Sequence, residues 1–147
     1  MRAIACALAC LTLPSLALAD PPTPVEPVVV TATLTPTPLD QVASSITLIT
    51  AADIEAHQWR SLPDALTAVP GLDVVQTGGL GGQTSVFIRG ADPNHTKVLI
   101  DGVEVNDPSQ NDAFDFGQVL TADLARVEIL RGPQSSLYGS DALGGVV

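Results

Sequence analysis

The chain has 147 residues, of which six are Lys or Arg and sixteen are Asp or Glu, giving a formal net charge of −10 at pH 7. So acidic a chain excludes nucleic acid as a natural partner. With three Phe, one Tyr and one Trp, any core is left to Val, Leu, Ile and Ala.

At the amino terminus Met1 and Arg2 precede an apolar stretch from Ala3 to Leu13, which Pro14 and Ser15 interrupt. Ala17-Leu18-Ala19 before Asp20 has the small-x-small form of a signal-peptidase site. About 11 apolar residues are too few to span a bilayer as a helix, so residues 1–19 are expected to be a cleaved export signal. Cys6 and Cys10 both fall inside it, which leaves an exported chain without disulfides and with a net charge of 5 − 16 = −11.

From Asp20 to Pro38 six of nineteen residues are proline and none is glycine, a composition that favours extended, polyproline-like chain. Residues 20–43 are therefore predicted to be a flexible tether. Within it, Val28 to Thr33 is β-prone and suited to capture by the sheet edge of another protein. The alternative is that the valines form an edge strand of the chain's own domain.

The globular part is expected over 44–147, and all twelve glycines lie between Gly71 and Gly145. Predicted elements are a strand at Ile46–Thr50, a short helix at Ala51–Glu55, and a second helix at Leu62–Val69 with Ser61 as N-cap and Pro63 in its first turn. Pro70-Gly71 ends that helix. Strands are predicted at Leu72–Gln76, Thr84–Arg89, Lys97–Ile100 and Arg126–Leu130, with Asp101-Gly102 turning into a short extension, Val103–Val105. Helical turns are predicted at Val119–Leu124 and Gln134–Tyr138. The sum is a small mixed α/β (α+β) domain with a central sheet of about four strands. Gly144-Gly145-Val146-Val147 reads as the start of a further strand, so the chain is expected to be cut off there.

Leu62-Pro63-Asp64-Ala65-Leu66 leading to Val69-Pro70-Gly71-Leu72-Asp73-Val74 resembles the opening of the plug domain of TonB-dependent outer-membrane receptors. Phe87-Ile88-Arg89-Gly90 and Val98 to Val103 resemble that family's central strand pair. Its closing motif is matched by Arg126-Val127-Glu128-Ile129-Leu130-Arg131-Gly132-Pro133 and Leu137 to Gly145. These segments occur in the family's order, and with Val28 to Ala32 the likeness runs from about Pro27 to Val147. It implies a plug supplied without its β-barrel, placed in the outer membrane with the tether facing the periplasm. Pro27, Val28, Val29, Val30, Thr31, Ala32 and Thr33 then correspond to the TonB box, and TonB and the missing barrel are the implied partners. The free-standing alternative is a periplasmic adaptor that docks on TonB.

Within the family, Thr77, Gly78, Gly79, Leu80, Gly81, Gly82 and Gln83 resemble the first substrate loop of the cobalamin receptors, while Val105 to Phe116 departs from them. The implied cargo is a large scarce nutrient, cobalamin first and an iron chelate, as in siderophore receptors, as the alternative. Ligand contact is assigned to residues 77–83 with Asn106 and Asp107. Glycines admit close backbone approach there, and Gln83 adds a side-chain hydrogen bond.

Arg89, Arg126 and Arg131 flank apolar strands and need anionic partners. Asp101, Glu128 and Asp141 are the candidates in the chain, the barrel wall supplies others, and the role assigned is seating of the plug. Asp107, Asp112 and Asp115 lack the glycine and terminal glutamate of an EF-hand, so no intrinsic metal or cofactor is expected. His57 and His95 stand apart, and Ser135, Ser136 and Ser140 follow no nucleophile elbow, so no catalytic constellation is present.

Overall fold

The computed structural model describes residues 27–79 and 81–147. The signal at 1–19, the tether residues 20–26 and Leu80 lie outside the described residues. Two short strands come first, β1 (Val28–Val29) and β2 (Thr37–Pro38), followed by β3 (Ser45–Thr50) and helices α1 (Ala51–His57) and α2 (Leu62–Thr67). Thr50 and Asp53 cap α1 reciprocally, with Thr50 N donating to the carboxylate at 2.9 Å and Asp53 N to the Thr50 hydroxyl at 3.2 Å. At α2, Asp64 accepts from the backbone and hydroxyl of Ser61. Pro63 sits in the first turn, where no intrahelical donor is lost.

Next come β4 (Leu72–Gln76), β5 (Thr84–Ile88), β6 (Thr96–Lys97), β7 (Leu99–Ile100), β8 (Val103–Glu104), β9 (Arg126–Arg131), α3 (Ser135–Tyr138) and β10 (Gly145–Val146). The central sheet has four strands in the order β3-β9-β10-β6. β3 lies antiparallel along all six residues of β9, from Ser45 opposite Arg131 to Thr50 opposite Arg126. β10 pairs antiparallel with Arg131 and Leu130 on the other edge of β9, and parallel with β6. Antiparallel pairs β4-β5 and β7-β8 form separate small sheets.

The alternation of β9 organises the interior, because successive side chains leave opposite faces of a strand. Val127 and Ile129 pack with Ile54, Leu62, Leu66, Val86, Ile88 and Phe116 in the main core. Leu130 faces the other way and meets Val146, Ala142 and Ala32.

Three expectations are corrected. Phe87 to Gly90 and Val98 to Val103 do not form a central strand pair: β5 pairs with β4, and the four-stranded sheet takes β6 instead. Lys97–Ile100 is broken at Val98, whose N–H leaves the ladder to donate to Asn106 Oδ1 at 2.7 Å. Val119–Leu124 is not helical. Leu62 N donates to Val119 O at 2.9 Å and Leu120 bridges to Ser61, which holds Val119 and Leu120 extended; Thr121 to Leu124 then makes a single turn, while the preceding turn of 3-10 helix falls at Phe116–Gln118.

Candidate functional site

Residues 27–43 were expected to be a free tether. Instead β1 and β2 pair with each other, Val28 opposite Pro38 and Val29 opposite Thr37, and the loop they close lies on the Leu130 face of the central sheet. Val29 is fully buried and Ala32 nearly so. One carboxylate makes most of the polar part of this attachment. Glu128, whose side chain is 8% exposed, accepts from Val30 N and Thr31 N, each at 2.8 Å, and from the Thr31 hydroxyl. Arg126 Nε completes the set at 3.0 Å from the other carboxylate oxygen, and Tyr138 donates its hydroxyl to Thr31 O at 2.7 Å.

Burial alone pushes the Glu128 carboxyl up, but the hydrogen bonds from Thr31 and Val30 and the Arg126 charge outweigh it and hold the group below the usual carboxylate range. Tyr138 is pushed up by its burial and by the Glu128 charge beside it. Among the plug-seating candidates, Glu128 and Arg126 are thus an ion pair, and the same glutamate also holds Val30 and Thr31.

Asp141 does not pair with an arginine. It lies 3.2 Å from Lys97, whose buried ammonium also meets Glu104 at 2.7 Å. Burial pulls Lys97 down, yet its two carboxylate partners raise it overall. Arg89 and Arg131 are left with no carboxylate in ion-pair reach among the described residues. Arg131 donates to Pro70 O and, at 2.9 Å, to the Thr47 hydroxyl, while its Nε is buried without a partner. The two guanidinium stems flank Gly71, where an added Cβ would lie 3.9 Å from each.

Arg89 also adopts φ +53°, a left-handed conformation costly for a side chain. Arg89→Gly is therefore expected to stabilise the isolated chain by about 1 kcal/mol in urea unfolding. A loss of stability would mean that Arg89 has a partner within this domain.

The 77–83 loop closes the β4-β5 hairpin. Thr77 N donates to Gln83 O at 2.8 Å and Gly82 N to Gly79 O at 2.9 Å. A side chain at Gly82 would collide with the Thr77 carbonyl. Gln83 and the glycines at 78, 79 and 81 are exposed.

The loop meets a neighbour that the sequence did not suggest. Gln118 Nε2 donates to Gly81 O at 2.7 Å, and Asp115 Oδ1 accepts from Thr84 N at 2.8 Å and Gly117 N at 2.9 Å. Asp115 caps the turn at Phe116–Gln118 through Gly117 N, and its long-range bond to Thr84 leaves no sequence signal.

Asn106, expected to contact ligand, faces inward. It is buried, and its amide is fully engaged, accepting from Val98 N and donating to Thr96 O at 2.9 Å and Asp112 O at 2.7 Å. Asp107 turns inward on its own loop, accepting from Ser109 and Gln110, and these bonds hold its carboxyl below the usual range. The exposed surface assigned to ligand thus reduces to residues 77–79 and 81–83, joined to Asp115–Gln118.

Residues 38–146 match the family described as the TonB-dependent Receptor Plug Domain. The chain belongs to that family. Its fold and that of solved receptors agree. A mutant of the ferric enterobactin receptor of Pseudomonas aeruginosa, in complex with enterobactin, is 29% identical with a TM-score of 0.56, over 71% of this chain and 17% of that one. The siderophore receptor PirA of Acinetobacter baumannii is 29% identical with a TM-score of 0.56, over 70% of this chain and 16% of that one. The ferripyoverdine receptor of the Pseudomonas aeruginosa outer membrane, bound to ferripyoverdine, shares the fold with a TM-score of 0.64 at 24% identity, over 82% of this plug and 15% of that chain. The plug chain thus spans about a sixth of the length of these receptors. Among the described residues of the plug, no helix is long and apolar enough to cross a membrane.

Proposed function

We propose that this chain is the plug of an outer-membrane transporter and gates energy-coupled uptake of an iron chelate. In this reading residues 27–33 are its TonB-capture segment, held shut on Glu128. The observation that carries the reading is the attachment of Val30 and Thr31 to a single buried carboxylate on β9. A segment held by a two-residue ladder and by polar contacts to Glu128 and Tyr138 is more easily exchanged than a six-residue strand of the central sheet. Once released, it offers the strand edge that a partner sheet needs.

The iron-chelate reading draws on the siderophore receptors that this plug resembles. The cobalamin reading is supported by the glycine-rich 77–83 loop alone. In either case the loop and Gln118 offer backbone carbonyls and amides to a ligand floor, with the walls coming from a barrel. Arg89 and Arg131, a pair of like charges without acids of their own among the described residues, suit carboxylates on that barrel wall.

Val29→Pro tests the capture segment. Proline removes a strand donor and cannot extend a partner's sheet, so retention of the variant by an immobilised TonB periplasmic domain is expected to fall at least about tenfold, the effect of roughly 1.4 kcal/mol. Retention equal to the parent chain would remove residues 27–33 from that role.

A further inference from the structure

The surface assigned to ligand is built without a cation. Two segments form it, residues 77–79 and 81–83 of the β4-β5 loop and the turn Asp115–Gln118, and they are pressed together at two glycines. A side chain at Gly117 would strike the Gly82 carbonyl, and one at Gly82 the Thr77 carbonyl. What this floor exposes is neutral: Gln83, Gln118 and the peptide groups of Gly78, Gly79 and Gly81. The one charged group in these segments is the Asp115 carboxylate, half-buried and accepting from Thr84 N and Gly117 N. Asp107 and Asp112 stand on the turn that leads into it, where Asp112 N donates to Asp107 O.

The Lys and Arg side chains of the described residues all lie elsewhere. Lys97 is buried between Glu104 and Asp141, Arg126 pairs with Glu128 beside the capture segment, and Arg60 lines a separate cavity with Trp59 and Glu55. Arg89 and Arg131 flank Gly71 at the opposite end of the β4-β5 hairpin. The strand pairs from Leu72-Ile88 to Gln76-Thr84 separate them from the loop, roughly 17 Å at about 3.4 Å per residue. The Debye length at physiological salt is about 8 Å, so the nearer acids set the potential over the floor, and it is negative.

From this distribution we propose that the floor selects a ligand with no net negative charge, whose rim of amides and hydroxyls meets the glutamines and the open peptide groups. This rests on the transporter-plug reading, within which the iron chelate is narrowed to the neutral or cationic kind. A tris-hydroxamate of Fe(III) is neutral, because its singly charged arms balance the metal, whereas a tris-catecholate, with doubly charged arms, stays strongly anionic.

The test is to titrate the chain at low salt with diamagnetic probes and follow its amide NMR signals. The probes are a gallium(III) tris-hydroxamate and a gallium(III) tris-catecholate, which carry the charges of the ferric chelates, and cyanocobalamin. Signals of Thr77, Gly82 and Gln118 are expected to shift with the tris-hydroxamate, at a midpoint at least about tenfold lower than with the tris-catecholate, and the gap should narrow as salt is added. Gln83→Lys, which places a cation on the floor, is expected to strengthen tris-catecholate binding about tenfold. A tris-catecholate midpoint equal to or below that of the tris-hydroxamate in the parent chain would overturn the proposal. Shifts with cyanocobalamin alone would uphold the charge selection and replace the iron chelate as cargo. No shift with any probe would remove this surface as a ligand floor, and the charge selection with it.

Discussion

Alanine at Glu128 is expected to raise capture of this chain by a TonB periplasmic domain at least about tenfold and to make the peptide bonds of residues 27–36 newly sensitive to protease. The carboxylate accepts two backbone N–H groups and a hydroxyl from Val30 and Thr31. Hydrogen bonds to a charged group contribute about 1.5–3 kcal/mol each where they are buried. After the freed donors regain water, a remainder of about 1.4 kcal/mol is enough for a tenfold shift towards the released segment.

Glu128→Gln separates charge from shape: it retains a side-chain acceptor and is expected to fall between the parent and the alanine variant. The parent chain should show the same release on acidification. The folded-state carboxyl sits below its ordinary value of 4.5, so its contribution is fully present above that pH and is lost as pH falls through the depressed value. Protease sensitivity of residues 27–36 should therefore rise in the parent as pH falls through the depressed value, below the ordinary 4.5, and stay constant in the glutamine variant. Unchanged capture and protection in Glu128→Ala would show that the buried contacts of Val29 and Ala32 suffice to hold the segment.

Phe116→Ala is expected to cost about 3–5 kcal/mol of stability in urea unfolding and to disorganise the surface assigned to ligand. Phe116 is the largest side chain fully within the core, and Phe114 meets it edge to face with ring centroids 4.9 Å apart. It also anchors the turn whose Asp115 and Gln118 hold the 77–83 loop. Amide exchange at Thr77, Gly82 and Thr84 should therefore accelerate more than exchange in β3. A uniform acceleration across the domain would reduce Phe116 to a core residue with no special hold on the loop.

The parts of this fold legible in the sequence are those set by near neighbours. Ser61 with Asp64, Pro63 and the apolar spacing of Leu62, Ala65 and Leu66 locate α2. The alternation in Arg126 to Leu130 locates β9, and the order of short motifs identifies the family.

Legibility fails where one polar side chain serves distant backbone. Glu128 and Thr31 are 97 residues apart, and nothing near either announces the contact. The proline content of residues 20–38 argued for an open tether. Pro38 itself closes the β1-β2 ladder, since an edge position asks for no donor there. Asn106 misled for the opposite reason, because an Asn-Asp-Pro sequence reads as a solvated turn although its amide is the brace of Val98, Thr96 and Asp112. Sequence reasoning foresaw that the arginines need partners. It did not foresee that only Arg126 finds a carboxylate among the described residues.

The placement of β3 gives the chain a defined order of mechanical failure. A pull applied at Pro27 first loads the Thr31–Glu128 contacts and the two pairs of the β1-β2 ladder, which are short and open one at a time. The load then passes through the 3-10 turn at Leu39–Gln41 to Ser45, the first residue of an outer strand whose inner edge is bonded to β9. Because Ser45 is opposite Arg131, traction there reaches the strand ahead of the guanidinium group lodged at Thr47. Withdrawal of β3 would strip one side from Val127 and Ile129. A modest force thus frees the leading segment and leaves the domain intact, whereas a larger one dismantles the domain from that edge.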